Sequence, residues 1–218
     1  MKQNNLVRAN TNTMLLFGTP VFIYDEYSNV TEIHDTSSEQ KNLIENRSGN
    51  FSSKETNILE LESYKTIKDR IIAGLNEYVN DVLHVEDRHE FYITQSWLNV
   101  NPPGSAHHRH NHSNSLISGV YYIDTSEHDS ITFISQNYQT ITNNPTIQIN
   151  VSEYTLANSN SWQLPVKNNL IVYFPSTTLH EVADNTGDKN RISLAFNCFV
   201  KGNFGSTKNL NELNLWKK

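Results

Sequence analysis

A chain of 218 residues can bury a real core and suits one domain. Hydrophobic residues are 36% and charged residues 18%, and the large polar remainder is rich in Asn, Ser and Thr, which favour turns and strand edges over helix interiors. A net charge of −6 argues against a nucleic-acid-binding surface, which needs a basic excess. Cys198 is the single cysteine, so neither an internal disulfide nor a cysteine-based zinc site can form. The apolar stretch Met14 to Phe17 is cut short by Gly18 and Pro20, which excludes a signal peptide or membrane span there. A soluble, cytoplasmic protein is the expectation.

Leu15 to Tyr24, with Phe17, Val21, Phe22 and Ile23 around Pro20, reads as an early strand. Residues 26–56 are polar with weak periodicity and read as loop or short helix. From Ser63 to Leu83 the apolar residues Ile67, Ile71, Leu75, Tyr78, Val79 and Val82 recur at spacings of three and four, which predicts an amphipathic helix covering one face of a sheet. The period then changes. Phe91 to Asn101 is strand-like and is broken by Pro102-Pro103-Gly104. Leu116 to Ile123 has the Val, Ile and Tyr of a buried strand. Ile131 to Ile134 and Thr146 to Val151 read as further short strands, inside or beside a polar excursion from Asn143 to Asn160. Leu170 to Phe174 is an apolar run stopped by Pro175. In Arg191 to Val200, Ile192, Leu194, Phe196 and Cys198 face one way while Ser193, Ala195 and Asn197 face the other. Many short strands with polar turns predict a sandwich or barrel. The expected organisation is one domain over 1–218: an N-terminal strand and helix layer over 1–90 and a β core over 91–205.

Four of the nine histidines lie in six residues: His107, His108, His110 and His112. Side chains two apart on a strand share a face, which puts His108, His110 and His112 together and His107 out of phase. Imidazoles spaced His-x-His can hold one divalent metal. His180, just after the Leu170–Phe174 run, supplies a remote third ligand, and the competing reading is a polar turn whose histidines are incidental. Eleven residues further on, Arg191 opens an apolar strand with Ser193 two positions along. An inward Arg there offers a planar fork to a carboxylate; otherwise it is a surface ion pair.

Taken in order, Trp97-Leu-Asn-Val-Asn-Pro-Pro-Gly104, His110-Asn-His112-Ser-Asn-Ser-Leu-Ile-Ser118-Gly-Val-Tyr-Tyr122, Phe174-Pro-Ser176, His180-Glu-Val182 and Arg191-Ile-Ser-Leu-Ala-Phe-Asn197 resemble the small 2OG-Fe(II) oxygenase family of bacteria and tailed phages. More distantly they resemble the prolyl hydroxylases. The resemblance covers about residues 95–200. It implies a mainly β, double-stranded β-helix with an N-terminal covering helix, holding Fe(II) and using 2-oxoglutarate and O2. It makes His110 the first metal ligand and His180 the distal one. Arg191 becomes the partner of the 2-oxoglutarate C5 carboxylate, Ser193 completes an Arg-x-Ser pair, and Tyr122 matches a tyrosine that hydrogen-bonds the co-substrate. The implied activity is a dioxygenase, as a hydroxylase of an unidentified substrate, with a protein or peptide side chain the mild preference. One departure stands out: the wider superfamily has a carboxylate where this chain has His112. Either His112 ligates, which its spacing favours, or a carboxylate from elsewhere, such as Asp124 or Glu181, or no further residue at all, completes the site.

Two other readings share the scaffold. Gly104 followed after five residues by His110-x-His112 matches the first half of a cupin motif, although the expected Glu is missing and Pro175 to His180 lacks the usual glycine. A cupin dioxygenase with three histidines would not use 2-oxoglutarate. A non-enzymatic binding module on the same scaffold is the third reading, favoured by the loss of the carboxylate.

Overall fold

The computed structural model describes residues 18–25, 34–136, 146–147 and 149–216. Among the described residues twelve strands form two antiparallel sheets. They are β1 (Phe22–Tyr24), β2 (Leu43–Glu45), β3 (Phe51–Ser53), β4 (His89–Asn101), β5 (His107–His110), β6 (Ile117–Asp124), β7 (Ser130–Ile134), β8 (Ser161–Pro165), β9 (Ile171–Pro175), β10 (Leu179–Val182), β11 (Arg191–Phe204) and β12 (Leu213–Asn214). The larger sheet runs β1-β9-β6-β11-β4-β3-β2 with β12 added beside β11, and the smaller runs β5-β10-β7-β8. From β4 to β11 the chain passes back and forth between the two sheets, with β7 and β8 forming a hairpin within the smaller one, which is the double-stranded β-helix. No described helix is long and apolar enough to cross a membrane.

Helix α1 (Lys65–Glu77) forms where the three-and-four spacing predicts it, and a wide π-type turn, Tyr78–Val82, continues it. Its buried stripe of Ile67, Ile71 and Leu75 joins Tyr78, Leu98, Tyr173, Leu194, Phe196 and Cys198 in one apolar cluster on the outer face of the larger sheet. Each such side chain contributes roughly 1.5–3 kcal/mol by leaving water. Gly74 sets how close the helix comes: a Cβ there would lie 2.5 Å from the Tyr173 hydroxyl, which donates to the Ile71 carbonyl at 2.8 Å. A second cluster, with Tyr122, Ile131, Phe133, Val172 and Phe174, fills the space between the sheets. Strand β11 serves both. Leu194, Phe196 and Cys198 face the helix, while Arg191, Ser193, Ala195 and Asn197 take the inner face, as period-two alternation requires.

Gly119 of β6 is a packing device. Phe196 lies directly across from it, and a Cβ at 119 would sit 2.2 Å from that fully buried ring. A Gly119→Ala substitution is therefore expected to cost about 1–3 kcal/mol through overpacking, read as a lower urea midpoint with an unchanged slope.

The polar stretch 26–56, read as loop or short helix, contains the β2–β3 hairpin, which extends the larger sheet beyond β4; residues 26–33 lie outside the described residues, as do 15–17 of the early strand. The expected strand over Thr146–Val151 is corrected. Its described residues form no strand, and Ile147 and Ile149 are exposed. The strand that flanks β7 is β8 instead, in register Phe133 to Trp162 and Ile131 to Leu164.

Candidate metal centre

The sheets meet at a histidine cluster. His110 closes β5 and pairs directly with His180 on β10, whose other neighbour is Phe133 on β7. His112 lies two residues beyond β5, where its amide donates to the Ser176 carbonyl at 2.9 Å. The available ring nitrogens of His110, His112 and His180 all lie within 4.8 Å of one another. His180 is buried, and the other two are half-buried.

Each ring is held by its Nδ1. His110 Nδ1 donates to the His108 carbonyl at 2.7 Å, and His180 Nδ1 donates to the Thr178 carbonyl at 3.0 Å. A carbonyl can only accept, so both rings carry the proton on Nδ1 and keep a lone pair on Nε2. His112 Nδ1 lies 2.5 Å from the side-chain oxygen of Asn197, which also accepts from Ser118 Oγ at 2.8 Å. Ser118 Oγ in turn meets Ser176 Oγ at 2.8 Å. Asn197, Ser118 and Ser176 are buried, so this network fixes ring tautomer and orientation as outer-shell partners do in metal sites. Burial lowers the pKa of all three rings, and for His180, with His110 beside it, to about 3. Neutral imidazoles with outward lone pairs suit a divalent transition metal such as iron.

That depression has a consequence for the metal-free protein. The folded state refuses a proton that the unfolded chain binds near the ordinary 6.5, so between those values unfolding takes up protons. Stability is expected to fall as pH drops from about 6.5 towards 3 and to level off above 6.5, followed as Tm against pH in the presence of a chelator.

Two histidines are not where strand alternation puts them. The pairing of β5 with β10 slips between His180–His110 and Val182–His107, so three residues of β5 span two of β10. This bulge reverses the side-chain phase. His108 is exposed and outside the trio, whereas His107, expected out of phase, stacks on His110 with ring centroids 4.5 Å apart. The carboxylate alternatives are engaged elsewhere: Asp124 pairs with Lys189 at 2.6 Å, and Glu181 pairs with Arg109 at 3.0 Å.

Arg191 is 3% exposed, at the start of β11 and on the same face as Asn197. Its Nη1 donates to Asp129 Oδ1 at 3.3 Å, while Nη2 is buried without a partner among the described residues. Asn101, directly across in β4, likewise leaves a buried Nδ2 unpartnered among them. A slip in the β6–β11 pairing sets Tyr122 opposite Ser193, both buried, and burial raises the Tyr122 phenol despite the opposing Arg191 charge. These donors on one inner face are of the kind a carboxylate would use. Sequence reasoning missed Asp129. Its only signal is an acid just before a β-branched strand, and that does not reveal a partner 62 residues away.

Residues 95–197 match the model of a family described as "Putative 2OG-Fe(II) oxygenase". No curated protein sequence matches the chain. Solved structures share its fold at low identity. An oxidoreductase of the 2OG-Fe(II) oxygenase family from Burkholderia pseudomallei aligns at 13% identity over 82% of this chain and 83% of its own, with a TM-score of 0.55. A Pseudomonas putida prolyl-4-hydroxylase aligns at 15% identity over 82% and 92%, with a TM-score of 0.51. HygX from Streptomyces hygroscopicus, solved with nickel, 2-oxoglutarate and hygromycin B bound, aligns at 11% identity over 91% and 86%, with a TM-score of 0.54.

Proposed function

We propose, from the match of residues 95–197 to the 2OG-Fe(II) oxygenase family model, that His110, His112 and His180 hold Fe(II) while Arg191, Ser193 and Tyr122 receive 2-oxoglutarate. The chain is a 2-oxoglutarate-dependent non-haem iron oxygenase, and its proposed reaction is hydroxylation. The single observation that carries the site assignment is the convergence of three Nδ1-anchored imidazoles whose lone pairs face one another.

Iron, when bound, supplies the activation of O2 that the oxidative decarboxylation of 2-oxoglutarate drives. The chain's own residues do the rest. Asn197 and Ser118 hold the His112 ring, and the two carbonyls hold His110 and His180, so no proton has to leave an imidazole before metal binds. The unpartnered Nη2 of Arg191 supports its role at the far carboxylate of the co-substrate. Phe133 and Phe174 pack against His180, at ring-centroid distances of 6.4 and 4.8 Å, and exclude water from that side. An amino-acid side chain in a protein or peptide is the proposed substrate class, by analogy with the prolyl-4-hydroxylase neighbour. One domain and a cytoplasmic setting complete the reading, the latter on the lone Cys198.

Anaerobic titration of the protein with Fe(II) and then 2-oxoglutarate tests it. A visible charge-transfer band that saturates at one equivalent of each is expected. Metal binding with no band and no 2-oxoglutarate affinity would leave a cupin-like centre, and no metal binding would leave a binding module.

A further inference from the structure

We propose that His107 is a further co-substrate residue, whose ring N–H donates a hydrogen bond to an oxygen of 2-oxoglutarate on the stretch between the histidine trio and Arg191. The inference rests on the trio and Arg191 being the two ends of the co-substrate site. His107 opens β5, and the bulge in the β5–β10 pairing turns its side chain to the face that carries His110. The two rings stack at an interplanar angle of 17°, with centroids 4.5 Å apart. His107 is nonetheless not one of the converging ligands, since the nitrogens that lie within 4.8 Å of one another belong to His110, His112 and His180. It is half-buried, and its ring nitrogens have no hydrogen-bond partner among the described residues.

His107 also lies towards Arg191. Burial first, then the rings of His110, His108 and His180, then the Arg191 charge hold its pKa down, to about 3. Arg191 has no such effect on the rings of the trio. A neutral imidazole keeps one N–H to donate. From the larger sheet, Arg191 Nη2 and Asn101 Nδ2 are buried and unpartnered among the described residues. A co-substrate that runs from the trio to Arg191 passes between these donors and the edge of the His107 ring. Once that space is filled, a ring nitrogen left without a partner is costly, and the oxygens of the co-substrate are the acceptors at hand.

Calorimetry on the full-length, nickel-loaded protein reads this, with N-oxalylglycine as the unreactive mimic of 2-oxoglutarate. His107→Phe keeps a flat ring to stack on His110 and removes the N–H. His107→Gln and His107→Asn remove the ring and keep an N–H, at about the reach of Nε2 and of Nδ1. His107→Phe is expected to retain nickel and to weaken the probe roughly tenfold or more. One of the two amide variants is expected to bind it within roughly threefold of the parent, and which one does so identifies the donating nitrogen. A mere prop for His110 gives the opposite order, with His107→Phe binding like the parent and both amides weakened. That order, comparable loss in all three variants, or loss of nickel from His107→Phe overturns the inference. If His107→Phe does not fold, the two amides decide: weakening in both overturns it. A parent that does not bind the probe overturns the co-substrate reading itself, and the inference with it.

Discussion

Arg191→Ala is expected to lose 2-oxoglutarate affinity by about 2–5 kcal/mol while retaining metal. The side chain is almost wholly buried and makes no contribution to the histidine trio, so metal content is the control that separates lost anchoring from lost folding. The substitution also strands Asp129, whose Oδ1 has the guanidinium as its side-chain partner among the described residues, and a buried unpaired carboxylate carries its own cost. Thermal unfolding of the metal-loaded variant should therefore be measured beside the binding isotherm. Arg191→Lys keeps the charge but not the fork, and partial rescue is the expected outcome. Undiminished affinity in Arg191→Ala would remove Arg191 from the co-substrate site.

His180→Ala is expected to abolish metal retention. Two imidazoles remain, from His110 and His112, no carboxylate joins them among the described residues, and Glu181 and Asp124 are paired with Arg109 and Lys189. Metal analysis of the purified variant reads this directly. A second readout is the loss of the Tm rise that a bound metal gives the folded state, since that rise scales with occupancy. His180 also packs on Phe174, so the metal-free variant should itself unfold somewhat earlier than the metal-free parent. A variant that still binds one equivalent of iron tightly would remove His180 from the ligand set.

Much of the scaffold was legible because its strongest patterns are local. The stripe of Ile67, Ile71 and Leu75 forms a helix, and the alternation from Ile192 to Cys198 assigns the helix-facing and inner sides of β11 correctly. The elements missed are those with little local signal. Strand β10 has four residues and β8 five, too few for periodicity to stand out from a polar background. Ile147 and Ile149 have strand-like character but are exposed and unpaired, so composition misled where partners were lacking. In the site, His110, His112 and His180 were nameable from spacing and from family resemblance. The stacking of His107 on His110 was not, because a bulge belongs to the pairing of β5 with β10 and neither strand alone encodes it. Asp129 and the Ser118–Asn197 support of His112 are side-chain contacts across long separations, invisible until the sheets are assembled.

The three rings are not anchored to the same layer. His110 and His180 belong to the smaller sheet, whereas His112 takes its support from Asn197 and Ser118 of the larger. An ion shared by all three would act as a rivet between two plates that are otherwise joined here by side-chain packing and connecting loops. Its bond lengths would then depend on the gap between the plates, and anything that wedges or squeezes that gap would be felt at the ion as a change in ligand geometry. A substrate entering between the sheets would thus act on the centre mechanically, before any chemical contact with it.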